Sequence, residues 1–348
     1  MSGPPVLRND GHMAVTMTQV AKEAGVSVST VSHVINGTRP VAEVTRRQVL
    51  DAMDRLGFTH QPVARSLAAG NTTTIGVAIP LSGNPFHQEL FAGIEGEARR
   101  QRFSVFVSDT SDEPEREREV IANLIAHHVR GVLVSPTAGW ARGASRVVRD
   151  HQLPCVLVDR LQHQPIDQVG VENERATAML VEHLVVKGHR RIACISGRDG
   201  LSTTDERVSG YRAALRSAGL PIDDRLVVGG DSTDSGGRRA MRALLALEDA
   251  PTAVFVGNDS MSLGVLRALR EAGRVVPRDI ALVCFDDPPW GDLATPGLTA
   301  IAQPTFAMGA RAVQLLARRI ADPDATPQTL RLRGEVTHRS SCGCRPTP

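Results

Sequence analysis

The chain of 348 residues carries 40 Lys and Arg against 38 Asp and Glu, a formal net charge of +2 at pH 7. This balance excludes a polybasic tail protein, and 41% hydrophobic with 22% charged residues is typical of a globular rather than a disordered chain. No apolar run approaches the roughly 20 residues of a membrane-spanning helix, so we expect no membrane partner. Residues 1–14 lack the apolar core of a secretory signal, so we expect a flexible lead-in and a cytoplasmic location.

Residues 15–37 have the pattern of two short helices joined by a tight turn. Thr16 and Gln19 have capping-box spacing, which predicts the start of the first helix. Gly25 is placed to end that helix in the left-handed conformation, and Ser27 is a candidate cap for the second helix. The pattern predicts a helix-turn-helix.

The second of these helices has an apolar inner face and a more polar outer face. Val31, Val34 and Ile35 occupy the inner face at helical spacing. The outer face carries Val28, Ser29, Ser32 and His33. A third amphipathic helix, Thr45–Leu56, is expected to close the small core.

The charge of this amino-terminal region leaves its partner open. Residues 1–70 contain seven Lys and Arg against five Asp and Glu, which is a weak basic excess. DNA-binding surfaces normally carry a clearer basic footprint, so on charge alone a protein-interaction module is an equal alternative.

From Thr74 onward, apolar runs of strand length alternate with amphipathic helical stretches, an order that indicates parallel sheets covered on both faces. The predicted strands are Ile75–Pro80, Ser104–Asp109, Gly131–Pro136, Cys155–Asp159, Arg191–Gly197, Ala253–Asp259 and Ala281–Asp287. The predicted helices are Glu89–Arg100, Glu115–His128, Arg175–Lys187, Arg207–Ala218, Ser260–Ala272 and Phe306–Ala321. Because one sheet would not use so many strands, we predict an α/β fold with two doubly wound subdomains whose carboxyl strand ends face a cleft.

The five cysteines are scattered, and three lie in strand-like runs, so we expect reduced core thiols and no disulfide framework. Cys342 and Cys344 with nearby His338 are a weak metal-site candidate that lacks a second ligand pair at zinc-site spacing. We therefore expect a frayed tail there, with no metal and no cofactor.

The stretch VTMTQVAKEAGVSVSTVSHVINGTRPVAEVTRRQVLDAMDRLGF, followed by ARSLAAGNTTTIGVAIP, closely resembles the LacI/GalR family of transcriptional regulators. The resemblance runs from Val15 to about Arg339 and implies a hinge and a periplasmic-binding-protein-like effector core. The implied domains are a helix-turn-helix domain at 15–60, a hinge at 61–71, an amino-terminal subdomain at 72–168 and 300–328, and a carboxyl-terminal subdomain at 169–299 and 329–345.

In that family the second helix reads operator DNA, so Val28, Ser29 and His33 are expected to face bases. Thr30 and Ser32 are expected to hold the helix against phosphates, although simple helix packing is the alternative for Thr30. Leu67 in the hinge is expected to enter the minor groove, with a core leucine as the alternative. The expected DNA-binding residues are Thr16, Thr18, Val28, Ser29, Thr30, Ser32, His33, Asn36 and Leu67.

The resemblance also implies effector-binding residues at the ends of strands. They are Asn84, Phe86, Gln88, Asp159, Arg207, Asn258, Asp286 and Trp290. The alternatives are core packing for Phe86, a helix cap or surface acid for Asp159, a surface salt bridge for Arg207, and interface packing for Trp290. Ser232 stands where some members carry an aromatic stacking residue, which argues against a purine effector and leaves room for a sugar.

These features predict a homodimeric, cytoplasmic repressor that binds double-stranded operator DNA under the control of a sugar or nucleoside-like metabolite. A transport receptor is the second hypothesis, and the helix-turn-helix argues against it. An enzyme is the third, but the chain contains no G-x-S-x-G, H-E-x-x-H or P-loop motif.

Overall fold

A computed structural model of the chain describes residues 15–36, 39–58, 72–81 and 84–344. The chain divides into two compact units, Met1–Asn71 and Thr72–Pro348. The expected lead-in at 1–14 and the expected hinge at 61–71 lie outside the described residues.

The first unit contains the predicted helix-turn-helix and third helix. Its helices are α1 (Met17–Ala24), α2 (Val28–Asn36) and α3 (Glu43–Leu56). The capping box is confirmed, because the Thr16 N–H donates to Gln19 Oε1 at 2.7 Å and the Gln19 N–H donates to Thr16 Oγ1 at 3.3 Å. Gly25 ends α1 at φ 67°, and Ser27 Oγ accepts from the Thr30 N–H at 3.1 Å. The buried core consists of Val20, Ala21, Val31, Val49 and Ala52.

The second unit contains two six-stranded sheets. Its strands are β1 (Thr74–Ile79), β2 (Ser104–Asp109), β3 (Val132–Val134), β4 (Cys155–Val158), β5 (Asp167–Val171), β6 (Ile192–Ser196), β7 (Val227–Gly229), β8 (Ala253–Val256), β9 (Ala281–Phe285), β10 (Thr299–Ala302), β11 (Thr329–Leu332) and β12 (Glu335–Thr337). The strand orders are β11-β5-β4-β3-β1-β2 and β12-β10-β9-β8-β6-β7. Every pairing is parallel except that of β12 with β10, so the predicted parallel sheets are confirmed with one antiparallel edge strand.

Helices cover both faces of each sheet, as the continuous apolar strands predict. They are α4 (Pro85–Arg100), α5 (Pro114–Ala126), α6 (Ala144–Asp150), α7 (Asn173–Val186), α8 (Ser202–Ser217), α9 (Asp234–Leu245), α10 (Asp259–Glu271) and α11 (Thr305–Ala321). In the first lobe, α4 and α11 pack on one face of the sheet and α5 and α6 on the other. In the second lobe, α7 and α8 cover one face and α9 and α10 the other. Within the described ranges, no helix is long and apolar enough to cross a bilayer.

The expected subdomain boundaries are wrong in the last third of the chain. Strand β10 pairs with β9 in the second sheet, so residues 300–302 lie outside the first subdomain expected for 300–328. Strand β11 pairs with β5 in the first sheet, although 329–345 were assigned to the second. The chain therefore crosses between lobes after β5, after β10 and after β11. Because β11 and β5 pair across 161 residues of sequence, local apolar patterns do not determine that pairing.

The expected frayed tail is also wrong for the described residues up to 344, because Ser341 and Cys342 are completely buried. The Leu282 N–H donates to the Ser341 carbonyl at 2.8 Å, and Ser341 Oγ donates to the Leu282 carbonyl at 2.6 Å. These bonds hold the tail against β9.

Helices α4 and α11 approach closely at glycine. A Cβ atom at Gly93 would lie 2.1 Å from the Phe306 carbonyl oxygen, whereas a Cβ atom at Gly96, one turn away, would find Phe306 Cζ at 3.7 Å. Backbone cannot yield as a flexible side chain does, so on α4 the contact requires glycine at 93 but not at 96.

We expect Gly93→Ala to lower the free energy of unfolding by about 1–3 kcal/mol because it separates the two helices. Gly96→Ala, the matched control, should be neutral or stabilising by about 0.5–1 kcal/mol through higher helix propensity. Urea denaturation of both variants measures the difference. Equal effects of the two substitutions would contradict the close-packing argument.

Candidate functional site

The outer face of the helix-turn-helix presents most of the side chains that the sequence singled out for DNA. Thr16, Thr18, Val28 and Ser29 are exposed, and Thr30, Ser32 and His33 are half-buried. The Ser27 hydroxyl lies 2.8 Å from both the Ser29 and the Thr30 hydroxyl, so it joins the start of α2 into one hydrogen-bonded group. Asn36 ends α2, and Leu67 lies outside the described residues.

A cavity of about 340 Å³ lies between the two lobes of the second unit. Its lining comes from segments that follow β1, β2 and β4 in the first lobe and β6, β7, β8 and β9 in the second. This is the cleft between carboxyl strand ends that the sequence predicts, and its volume is at the lower end of the range of about 300–1,000 Å³ for small-molecule sites.

The structure brings six of the eight expected effector residues to this cavity: Asn84, Phe86, Asp159, Arg207, Asn258 and Asp286. Gln88 is exposed and lines a neighbouring cavity of about 480 Å³. Trp290 packs, partly buried, against the apolar core of the second lobe and lines neither cavity. Its placement agrees with the packing alternative.

Asp159 and Asp286 occupy equivalent places in the two lobes. Asp159 directly follows β4 and Asp286 directly follows β9, with φ angles of 73° and 72°. Both are buried. Non-glycine residues in this left-handed region are uncommon and gather at functional sites. Both line the interlobe cavity, so each lobe contributes one carboxylate to it.

Arg207 on α8 lines the same cavity and is within electrostatic reach of both carboxylates. Its Nε donates to Asn173 Oδ1 at 2.8 Å, its Nη1 donates to the Gly257 carbonyl, and its guanidinium carbon lies 3.7 Å above the Phe285 ring centre. These contacts fix the plane of the guanidinium while leaving further N–H groups to donate to a ligand.

Burial dominates the electrostatics of the cleft. It raises the pKa of Asp159 to about 6, although the charges of Arg160 and Arg207 oppose the change. It also raises the pKa of Asp259, which the charge of Asp286 raises further. The lining of the cavity therefore includes a carboxyl group, that of Asp159, whose charge is costly until a partner arrives.

His87 is a cavity residue that sequence reasoning missed. Burial, with a smaller contribution from the charge of Arg160, lowers its pKa to about 4, so its imidazole is neutral at pH 7. Both ring nitrogens are buried and have no hydrogen-bond partner among the described residues. The only sequence signal was its position beside Phe86, in what the structure shows to be the first turn of α4. Unsatisfied buried donors and acceptors are costly, so this imidazole is a candidate ligand contact.

Arg198 links the lobes across the cavity, which sequence reasoning also missed. It follows β6 in the second lobe, and its Nη1 donates to the main-chain carbonyl of Asp112, after β2 in the first lobe, at 2.8 Å. Its Nε donates to Asp231 Oδ1 at 3.2 Å and its N–H to Ser232 Oγ at 3.0 Å. Residues 86 positions apart meet here, and arginine is too common in this chain to mark one position.

A second polar cluster lies outside the cleft. His183, His338, Cys342 and Cys344 have their ligand atoms within 4.8 Å of one another, a set that can hold a metal ion. His183 on α7 supplies the ligand that the local sequence around Cys342 lacked.

Comparisons with known proteins agree with this architecture. Residues 16–61 match the model of bacterial regulatory proteins of the lacI family, and residues 181–342 match a periplasmic binding protein-like domain. The chain is 37% identical over 327 residues to the ribose operon repressor of Escherichia coli (strain K12), covering 94% of this chain and 99% of the repressor. The chain belongs to the lacI family of bacterial regulatory proteins.

Solved structures support the same conclusion for this lacI family member. The lac repressor dimer bound to operator and the anti-inducer ONPF matches with a TM-score of 0.84 and 28% identity, over 94% of this chain and 99% of that one. A LacI family regulator from Enterococcus faecium with bound ribose matches with a TM-score of 0.70 and 27% identity, over 79% and 100%. The predicted function, a DNA-binding transcriptional repressor controlled by a small-molecule effector, is thereby confirmed at the level of the family.

Because the pKa of Asp159 is raised above its ordinary value of 3.8 to about 6, the folded state binds its proton more tightly than the unfolded state. We expect this group to withdraw about 1–3 kcal/mol of stability as pH rises from roughly 4 to 6. In Asp159→Asn the free energy of unfolding should therefore fall less over that window, as urea titrations at several pH values would measure. Asp150→Asn, at an exposed helix end, is the control and should keep the wild-type pH dependence. An unchanged profile in Asp159→Asn would contradict the assignment.

Proposed function

We propose that the interlobe cavity of this repressor binds a monosaccharide and that sugar binding sets its affinity for operator DNA. The observation that carries the proposal is the convergence of Asp159, Arg207 and Asp286 from both lobes on one small cavity. Carboxylates accept hydrogen bonds from vicinal hydroxyls, and a guanidinium donates to hydroxyl and ring oxygens.

The lining favours a sugar over a nucleoside-like ligand. Phe86 is the sole phenyl, phenol or indole ring among the described residues that line the cavity, and Ser232 contributes a hydroxyl. A flat base that is to stack between two aromatic rings would find a ring for only one of its faces here. The name of the ribose operon repressor and the ribose-bound regulator agree with a pentose or a related sugar.

Effector control follows from contacts made with both lobes. A ligand held by Asp159 in one lobe and by Asp286 in the other stabilises the arrangement in which both surround it. The ligand can shift the population of chains able to bind DNA only as far as its affinity differs between this arrangement and the alternative arrangement of the lobes. The Arg198 bridge to Asp112 adds protein contacts to the same arrangement.

On the DNA side, we propose that α2 enters the major groove of an operator. Val28, Ser29 and His33 contact base edges, and Thr30 and Ser32 position the helix against phosphates. Thr16, Thr18, Asn36 and Leu67 complete the proposed interface. A homodimer would place two such helices on a pseudo-palindromic site. The chain then acts without catalysis, on chromosomal DNA in the cytoplasm.

Replacing Val28, Ser29 or His33 by Ala is expected to change preference among operator variants by about 1–3 kcal/mol per lost contact, with nearly unchanged salt dependence. Binding isotherms on a duplex selected from a random library would measure both quantities. Gln48→Ala, at an exposed position on α3, is the control and should preserve the preference. Uniform weakening on all DNA would instead assign these side chains to backbone contacts or folding.

Arg207→Ala should lose at least about tenfold in sugar affinity, the scale of one charged hydrogen bond, while operator binding without sugar survives. Calorimetry with a panel of pentoses and hexoses, followed by operator titration with the best sugar, tests this. Arg207→Lys keeps the charge but loses the planar guanidinium, so its sugar affinity should lie between those of the wild type and of Arg207→Ala. Arg146→Ala, on an exposed face of α6, is the matched control. A normal sugar response in Arg207→Ala would remove this residue from the site.

A further inference from the structure

A cluster of two imidazoles and two thiols lies in the second lobe, apart from the residues proposed for DNA and sugar. His183, His338, Cys342 and Cys344 contribute one ligand atom each, and all four atoms lie within 4.8 Å of one another. We propose that these four side chains form a closed, four-coordinate zinc site that fastens the carboxyl-terminal segment to α7.

The spacing of the ligand atoms fits a tetrahedral ion. With zinc–sulfur bonds of about 2.3 Å and zinc–nitrogen bonds of about 2.0–2.1 Å, a sulfur and a nitrogen ligand lie about 3.6 Å apart across a tetrahedral edge. Cys344 Sγ lies 3.5 Å from His183 Nε2. The rings of His183 and His338 meet edge to face, with centres 4.7 Å apart and planes at 63°. Small side-chain rotations would bring all four atoms to coordination distance.

The backbone already holds the ligands in place. His183 lies in the last turn of α7, and His338 directly follows β12, which pairs with β10. Between His338 and Cys342, Ser341 is anchored to β9 and also accepts the Thr299 N–H at 2.8 Å. Cys344 and His183 are 161 residues apart in sequence, so the fold has already met the entropic cost of bringing them together.

One contact of Cys342, with the Thr299 hydroxyl, supports a thiolate ligand. Its sulfur is completely buried and lies 3.1 Å from the Thr299 hydroxyl, which can donate a hydrogen bond to the charged sulfur. Such outer contacts orient metal ligands and tune their basicity. Two thiolates would balance the charge of a divalent ion.

The ligand chemistry favours zinc in a structural role. Tetrahedral sites of two thiolates and two imidazoles are typical of Zn²⁺, and four protein ligands leave no open position for catalysis. The site lies near the start of β10, at the amino-terminal ends of the parallel strands, whereas the sugar cavity lies at their carboxyl ends. Zinc should therefore stabilise the lobe without contacting the bound sugar.

The first experiment is metal analysis of the full-length chain, expressed without a histidine tag and purified without chelator. We expect about one zinc per chain after desalting. Replacement by Co²⁺ should produce the visible bands of tetrahedral cobalt together with a near-ultraviolet thiolate-to-cobalt charge-transfer band. Absence of stoichiometric metal and of that charge-transfer band would overturn the proposal.

The second experiment compares ligand variants with matched controls. His338→Ala, at an exposed position, and Cys344→Ser should lose the zinc and the cobalt charge-transfer band while keeping the wild-type circular dichroism spectrum. His151→Ala and Cys155→Ala replace a histidine and a cysteine outside the cluster and should retain both. A chelator should lower the melting temperature of the wild type but not that of His338→Ala.

Three results would contradict the site. Zinc retained in both ligand variants would place the metal elsewhere. Metal lost on desalting would indicate an adventitious ion only. A disulfide between Cys342 and Cys344 in freshly prepared native protein, detected by mass spectrometry after alkylation, would remove two of the four ligands. Because the cobalt spectrum is recorded on the wild-type chain, the proposal is tested even if a variant fails to fold.

Discussion

The structure of the effector core depends on the parallel direction of its strands. In a parallel sheet all carboxyl ends meet at one edge, so the segments that follow β1, β2 and β4 gather on one side of a cavity. The second sheet repeats this arrangement from the opposite side. The chain crosses between the two lobes three times. Every proposed contact with the effector follows from this geometry.

The cleft combines buried charge with incomplete pairing. Asp159 and Asp286 come from different lobes, Arg207 lines the same cavity, and the imidazole of His87 has no partner within the described residues. Such groups gain most from a ligand that carries many hydroxyls, because each hydroxyl can both donate and accept. The same polarity explains how a small ligand can bias the arrangement of two lobes: its contacts exist only where both lobes reach it.

The two ends of the second sheet have different chemistry. At the carboxyl ends, loops carry carboxylates and arginines around a cavity, whereas near the start of β10 the tail places sulfur and imidazole ligands against α7. The proposed zinc site would fasten the tail at one end and leave the loops at the other end able to respond to a ligand. Stability and regulation can therefore reside in one lobe without competing for the same residues.

The sequence by itself determined the helix-turn-helix, because its signals are local: Thr16 with Gln19, Gly25 and Ser27 act over three or four residues. Apolar runs likewise marked seven of the strands, and the family motif located six residues that line the cleft. Only the tertiary structure decided that β10 joins the second sheet and β11 the first. It also decided that Trp290 packs against the core and that His183 contacts Cys344. Those outcomes depend on contacts between residues distant along the chain, and local periodicity and capping carry no information about which distant segments pair.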